Sequence, residues 1–148
     1  MSQKKKIKKI KMSYSIVAKY IKDINFNIPD VKSYFLIEKN ISNYKINFDI
    51  KSKKIKDDII EIDTNLKLVS RTPNENEINV SILFSSLVNI KKNIENKKDL
   101  EKIVLVDVPT SIYPDIRNIL VFLFEKSGFK KVNLDNTIDF ENLYKKNN

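Results

Sequence analysis

Four stretches of this chain place an apolar side chain at every second residue, a period that commits most of it to half-buried β-strands. In the first, Ile24, Phe26 and Ile28 alternate with Asp23, Asn25 and Asn27, and Pro29 with Asp30 closes the run. In the second, Tyr44, Ile46, Phe48 and Ile50 share a face opposite Lys45, Asn47 and Asp49. The third runs from about Ile59 to Val69, with Ile60, Ile62, Leu66 and Leu68 inward and Glu61, Asp63, Asn65 and Lys67 outward. The fourth runs from Ile78 to Ile90, with Ile78, Val80, Ile82, Phe84, Val88 and Ile90 on one side. Polar links at Lys51–Lys56 and Thr72–Glu77 are short enough for hairpins, so the pattern predicts an antiparallel meander of consecutive strands. Val69, Leu83 and Leu87 fall on its nominally wet face, as a patch for a partner or an apolar ligand.

Past Lys91 the period changes to that of a helix. Asp99 is placed to cap a short helix carrying Leu100, Ile103 and Val104 until Pro109 ends it. Thr110 or Ser111 starts the next, which tolerates Pro114 in its first turn and carries Ile112, Ile116, Ile119, Leu120 and Leu123. Lys126 lies in its last turn, and Gly128 stands where a left-handed residue closes a helix. Phe129 to Leu134 reads as an extended link, and Asp139 caps a final helix with Phe140, Leu143 and Tyr144 on one side. The fold class is therefore α+β, a four-stranded antiparallel sheet followed by C-terminal helices. The segment Ile119–Phe124 is apolar all round. A helix with no polar face is sandwiched or at an interface, and one sheet supplies only one cover, so the segment implies oligomerisation.

Composition removes most chemistry. Among the 148 residues there is no Cys, no His and one Gly. That excludes zinc clusters, thiol or imidazole catalysis and glycine-rich phosphate loops, and no cofactor is expected. Asp57, Asp58, Glu61 and Asp63 crowd together, but with Lys67 close by they read as a solvated face, and an enzyme is not expected. The formal charge is +9, yet six lysines sit within the first eleven residues (Lys4, Lys5, Lys6, Lys8, Lys9 and Lys11), and the rest of the chain carries about +3. Residues 1–12 are read as a flexible basic arm and residues 13–148 as one domain.

The arm resembles the start of a signal peptide but lacks the apolar stretch that should follow it. The longest apolar run, Ile119–Phe124, has six residues and cannot span a bilayer. A cytoplasmic protein is expected. Only Arg71 and Arg117 are arginines, and no reading module is visible, so specific nucleic-acid binding is not expected. The arm is a solubilising tail by default, with a weak contact to anionic membrane or to ribosomal RNA as the other readings.

Several phrases, in order, resemble the SecB family of protein-export chaperones. They are Tyr20 to Pro29 (YIKDINFNIP), Asp57 to Ile62 (DDIIEI), Ile112-Tyr113-Pro114 with Arg117, Gly128-Phe129, Val132-Asn133-Leu134 and Ile138-Asp139-Phe140. The resemblance covers about residues 14–146. It implies a homotetramer built as a dimer of dimers, with the long helices packed between dimers, through Ile116, Ile119, Leu120 and Leu123 here. It implies an ATP-independent cytoplasmic chaperone that binds unfolded precursor proteins in apolar grooves, keeps them translocation-competent and delivers them to the SecA motor.

By position, Tyr44, Ile46 and Phe48 match the groove of that family, although alternation alone does not separate groove from ordinary core. Asp23 matches a carboxylate that contacts SecA. The second acidic position of that strand is Asn27 here, a further acidic contact falls at Ile82 with its apolar neighbour at Val80, and a glycine pair is replaced by Ser85, Ser86 and Leu87. The family is typically acidic, whereas this chain is basic. A relative dedicated to one client, such as an antitoxin, would share the same fold.

Overall fold

Three of the strands keep their alternation throughout, and the first breaks it twice. The computed structural model describes residues 13–72, 77–91, 96–129 and 134–147; the basic arm, parts of the 72–77 and 91–98 links and most of the 129–134 link lie outside them. Strand β1 spans Tyr14–Asn27, beginning well before the alternation that the sequence shows from Asp23 onward. The reason is two irregularities of register against its neighbour, between Ile16 and Ala18 and between Ile21 and Asp23. Each extra residue flips the parity, so the same face is served by Tyr14 and Ile16, then Lys19 and Ile21, then Ile24 and Phe26. A fixed period of two cannot follow that.

Between β1 and the next strand lies a helix the alternation does not foresee, α1 (Val31–Asn40), followed by a single 3-10 turn over Ile41–Asn43. Its signal was the cap. The Asp30 carboxylate accepts from the Ser33 amide at 2.7 Å and from the Ser33 hydroxyl at 2.9 Å. These bonds hold the Asp30 carboxyl below its ordinary pKa. Strands β2 (Tyr44–Lys54), β3 (Ile59–Ser70) and β4 (Asn79–Ile90) follow, each antiparallel to the next.

The sheet order is β1-β4-β3-β2, which corrects the meander. The α1 segment carries the chain over the sheet, so β1 pairs with β4 in a Greek-key arrangement and leaves β1 and β2 at the edges. Hairpin geometry is local and readable, but which strand closes the far edge is a tertiary matter.

Pro109 does not end a helix. From Asn96, whose side chain caps the start by accepting from the Lys98 amide, helix α2 (Lys97–Lys102) runs into a π turn over Ile103–Asp107 and then into α3 (Val108–Lys126). Asp99, expected as the cap, sits in the first turn. Proline in a helix clashes with the carbonyl four residues back and leaves it unbonded. The wider turn absorbs this: the Val108 amide reaches back to the Ile103 carbonyl, and the Thr110 hydroxyl bonds the Val106 carbonyl at 2.6 Å.

At its other end α3 stops as expected. The Phe129 amide bonds the Phe124 carbonyl and the Gly128 amide bonds the Glu125 carbonyl, each at 3.1 Å, with Gly128 at φ 93°. A β-carbon on Gly128 would lie 2.7 Å from the Tyr34 hydroxyl, so the space there is closed as well. The final helix α4 (Phe140–Asn147) begins where Asp139 accepts from the Asn142 amide at 3.0 Å.

The core lies between the inner sheet face and α3. Ile62 and Leu66 of β3 and Val80, Ile82, Phe84 and Val88 of β4 meet Ile112, Ile116, Leu120 and Phe124, all of them buried.

Candidate functional site

Edge strand β2 receives a different cover. Its inward residues Tyr44, Ile46, Phe48 and Ile50 are all only half-buried. Phe48 stacks edge-on against Phe140 (centroids 4.9 Å apart) and Tyr113 (6.0 Å), and Tyr113 and Phe140 complete the triangle at 6.3 Å. Tyr44 is fixed at its polar tip, its hydroxyl accepting from the Ile78 amide at 3.2 Å.

Helix α4 forms the opposite wall, and α3 holds it in place. The Tyr113 hydroxyl donates to the Asp135 carbonyl at 2.8 Å and the Arg117 guanidinium donates to the Leu134 carbonyl at 3.3 Å. Burial pushes the Tyr113 phenol up. At the far side Tyr144 donates to Glu101 at 2.8 Å, a bond that raises its own pKa and ties α4 to α2.

Between these walls runs an open cleft of about 750 Å³ over Ile46, Phe48, Ile50, Leu105, Phe140 and Leu143. A second cleft of about 690 Å³ continues from it, sharing Ile50 and Leu105 and reaching Ile60, Ile90, Leu100 and the β2–β3 turn. Together they make one trough, apolar on its floor and bordered by Asn47, Asp49 and Lys67 at one end and by Lys54, Asp57 and Asp58 at the other. It lies beside a strand whose other edge has no sheet partner among the described residues. Such a trough takes side chains of an extended chain by burial, and the free strand edge offers backbone hydrogen bonds. Of its lining, Ile46 and Phe48 were singled out in the sequence; Tyr44, singled out with them, shares their face of β2 but lines neither cleft. Ile50 was readable as inward but not as groove, and Leu105 was hidden by the π turn, whose wider geometry obeys neither period.

The outer face of the sheet carries an ionic cluster of different origin from the one expected. Lys22, not Lys67, serves Glu61 (3.3 Å) and Asp63 (2.9 Å), the Tyr20 hydroxyl donates to Glu61 at 2.7 Å, and Ser85 donates to Asp63. Asp23 is exposed on the same face opposite Leu83, with no ion pair among the described residues. Val69, Leu83 and Leu87 are half-buried there. Val80 and Ile82 are buried on the inner face, so neither reaches this surface; the outward neighbours are Ser81 and Leu83. Ser86 is fully buried on the helix side and Ser85 on the outer side.

Of the four residues read as oligomer interface, Ile116 and Leu120 are completely buried within the subunit. Ile119 and Leu123 are half-buried, and the group that α3 turns outward is Phe122, 55% exposed, with the Lys126 ammonium 5.8 Å from its ring centre. Among the described residues no group of carboxylates is arranged to hold a metal ion, and no helix is long and apolar enough to cross a membrane.

The chain is thus a four-stranded sheet with helices on one face and an open trough along one edge. Three comparisons place it more closely. The family model of SecB, preprotein translocase subunit SecB, matches residues 7–148. The putative protein-export protein SecB of Pelagibacter ubique (strain HTCC1062) is 37% identical over 133 residues, 90% of this chain and 95% of that protein. The protein-export protein SecB of Rickettsia bellii (strain OSU 85-389) is 26% identical over 134 residues, 89% of this chain and 86% of that one. In fold, the chain resembles the Mycobacterium tuberculosis SecB-like chaperone Rv1957, solved with a ChAD peptide from the HigA1 antitoxin. The TM-score is 0.65 at 11% identity, over 86% of this chain and 90% of that one. The chain belongs to the SecB family, and it is a SecB-type export chaperone.

Proposed function

We propose that this chain holds unfolded precursor proteins in the β2 trough, keeps them competent for export and hands them to a SecA-type motor, without nucleotide or cofactor, in the cytoplasm. The observation that carries the reading is the half-burial of Ile46, Phe48 and Ile50 beside a free strand edge. Apolar surface left open along a groove gains free energy from any segment rich in apolar or aromatic residues, at roughly 25 cal/mol per Å² buried, and reads no particular sequence. The role is binding, not catalysis.

Oligomerisation follows from the remaining apolar surface. Val17, Ile21 and Ile24 on edge strand β1 and Phe122 on α3 are exposed at 56%, 48%, 38% and 55%. We assign these, with Ile119 and Leu123, to contacts between copies in a tetramer. Asp23 is assigned to the motor. The neighbouring carboxylates Glu61 and Asp63 are already engaged by Lys22, which leaves Asp23 as the acid of this face open to a basic partner among the three.

Light scattering of the chain alone and with a reduced, unfolded precursor tests the reading. A particle about four times the 17.4 kDa chain that retains the unfolded client and ignores its folded form is expected. A monomer indifferent to unfolded protein would contradict it. Retention of an antitoxin alone, among several unfolded clients, would instead establish the single-client role.

A further inference from the structure

We infer that the trough sorts its clients by charge: it favours extended segments that alternate apolar with acidic residues over segments that alternate apolar with basic ones. The inference rests on the placement of clients along β2, and it adds a preference that the apolar floor cannot supply. It starts from the direction of the backbone. The Arg71 amide donates to the Asn43 carbonyl and the Ile55 amide to the Ile59 carbonyl, each at 2.9 Å. The register between these two bonds is unbroken, so the odd-numbered residues of β2 bond to β3. Ile46, Phe48 and Ile50 therefore turn their side chains to the trough and their backbone groups to the free edge. A segment that pairs with them lies as one more strand. Its residues opposite Ile46, Phe48 and Ile50 enter the trough, and those between stand beside Lys45, Asn47, Asp49, Lys51 and Lys53, all exposed. The first cleft already reaches round this edge, with Asn47, Asp49 and Lys67 in its lining as well as the apolar residues.

Along that edge positive charge is in excess and free. Lys51 and Lys53 stand across from Asp63 and Glu61 of β3. Those two acids hold Lys22 instead, at 2.9 and 3.3 Å. Lys51 keeps only Asp49, at 4.0 Å and with both side chains mostly in water. Lys45 and Lys53 make no ion pair among the described residues. Lys67 adds a further positive charge behind Asn47. The second cleft differs, because Lys54, Lys91 and Lys97 share it with Asp57, Asp58 and Glu101, and the charges balance there. A strand with acids at its outward positions meets Lys45, Lys51 and Lys53 as cross-strand partners, whereas one with lysines meets like charge. Opposite charges directly across two strands stabilise the pairing, and like charges weaken it. The floor accepts any apolar residue; the edge decides what may stand between them.

Three synthetic peptides of equal length test this, each alternating leucine with one polar residue: glutamate, lysine or serine. Binding to the full-length protein is read from the methyl signals of Ile46 and Ile50. The glutamate peptide is expected to bind about tenfold more tightly than the lysine peptide at low ionic strength, with the serine peptide between them. The gap should close as salt is raised, since the lysines are exposed. Charge reversal by Lys45→Glu, Lys51→Glu and Lys53→Glu together should invert the order. Equal affinities for the two charged peptides, while the serine peptide still moves Ile46 and Ile50, would overturn the charge preference alone. So would a lead of the glutamate peptide that neither salt nor the triple substitution alters. Failure of all three peptides to move these signals would overturn the placement of clients in the trough, and this inference with it.

Discussion

Strands β4 and β2 carry the same alternation and end in opposite conditions. Val80, Ile82, Phe84 and Val88 of β4 are 5% exposed or less, whereas Tyr44, Ile46, Phe48 and Ile50 of β2 are all half-open. Their inward faces read alike. Outward, β2 carries Lys45, Asn47, Asp49 and Lys51, whereas β4 carries Ser81, Leu83, Ser85 and Leu87 and no charge, which marks centre against edge but not covered against open. The difference is the cover. Helix α3 lies over β4 and β1, where Phe26 meets Phe124 at 5.4 Å and Lys19 pairs with Asp115 at 2.9 Å. Over β2 lie the short α4, Tyr113 at the edge of α3 and Leu105 of the π turn. The Tyr113 and Arg117 bonds hold the segment that leads into α4, and the Tyr144 bond holds α4 itself. A period of two fixes which face of a strand is apolar; it leaves open whether that face becomes core or binding surface.

The covered half should give way first. Leu120→Ala removes a fully buried side chain between α3 and the sheet and should cost ~2–5 kcal/mol in urea unfolding, as large-to-small core changes do. Charge at this position would unfold the subunit, so it is not a probe of assembly; Phe122→Glu, on the exposed side, is, and it should lower the particle mass in light scattering while circular dichroism stays unchanged. Phe48→Ala, in the open half, should cost less, ~1–3 kcal/mol, because its ring is half-exposed and loses two edge-on contacts only. Its larger effect should be on affinity for unfolded precursor, measured by titration. If Phe48→Ala destabilises as much as Leu120→Ala and leaves client binding intact, β2 is core and the contrast fails.

Two smaller effects sharpen the picture at the margins of α3 and α1. Gly128→Ala forces an L side chain into positive φ and against the Tyr34 hydroxyl, and should lower stability by ~1–2 kcal/mol in denaturant titration. Asp30→Ala should fray only α1, seen as faster hydrogen exchange at the Ser33 amide. The native Asp30 carboxyl is held below its unfolded value, so its contribution is present above the ordinary carboxylate pKa and is lost as pH falls through the lowered one. The exchange difference between wild type and Asp30→Ala should therefore shrink in acid.

The sequence read well wherever the physics is local. The inward residues of β2, β3 and β4, the Gly128 stop and the Asp139 cap all follow from period, sterics or a side-chain acceptor within three residues. It failed where distant parts compensate one another. The two irregularities in β1 scramble its period, the π turn lets the chain pass Pro109, and the pairing of β1 with β4 depends on the path taken by α1. The candidate site was legible in its strand and invisible in its other wall: Ile46 and Phe48 stand out by alternation, while Leu105 and Leu143 join them only once α2, α3 and α4 are folded. Surface assignments suffered most, since Lys22, forty-one residues from Asp63, is the partner of the acids on the outer face.

The central claim is that the half-open face of β2, and not the covered face of β4 or the outer face of the sheet, receives the client. Methyl spectra of the isotope-labelled protein, recorded while an unfolded precursor is titrated in, test it directly. The signals of Ile46, Ile50, Leu105 and Leu143 should move together, with those of Ile62, Ile82 and Ile116 in place. Movement confined to Leu83 and Leu87, or none at saturating client, would contradict the account.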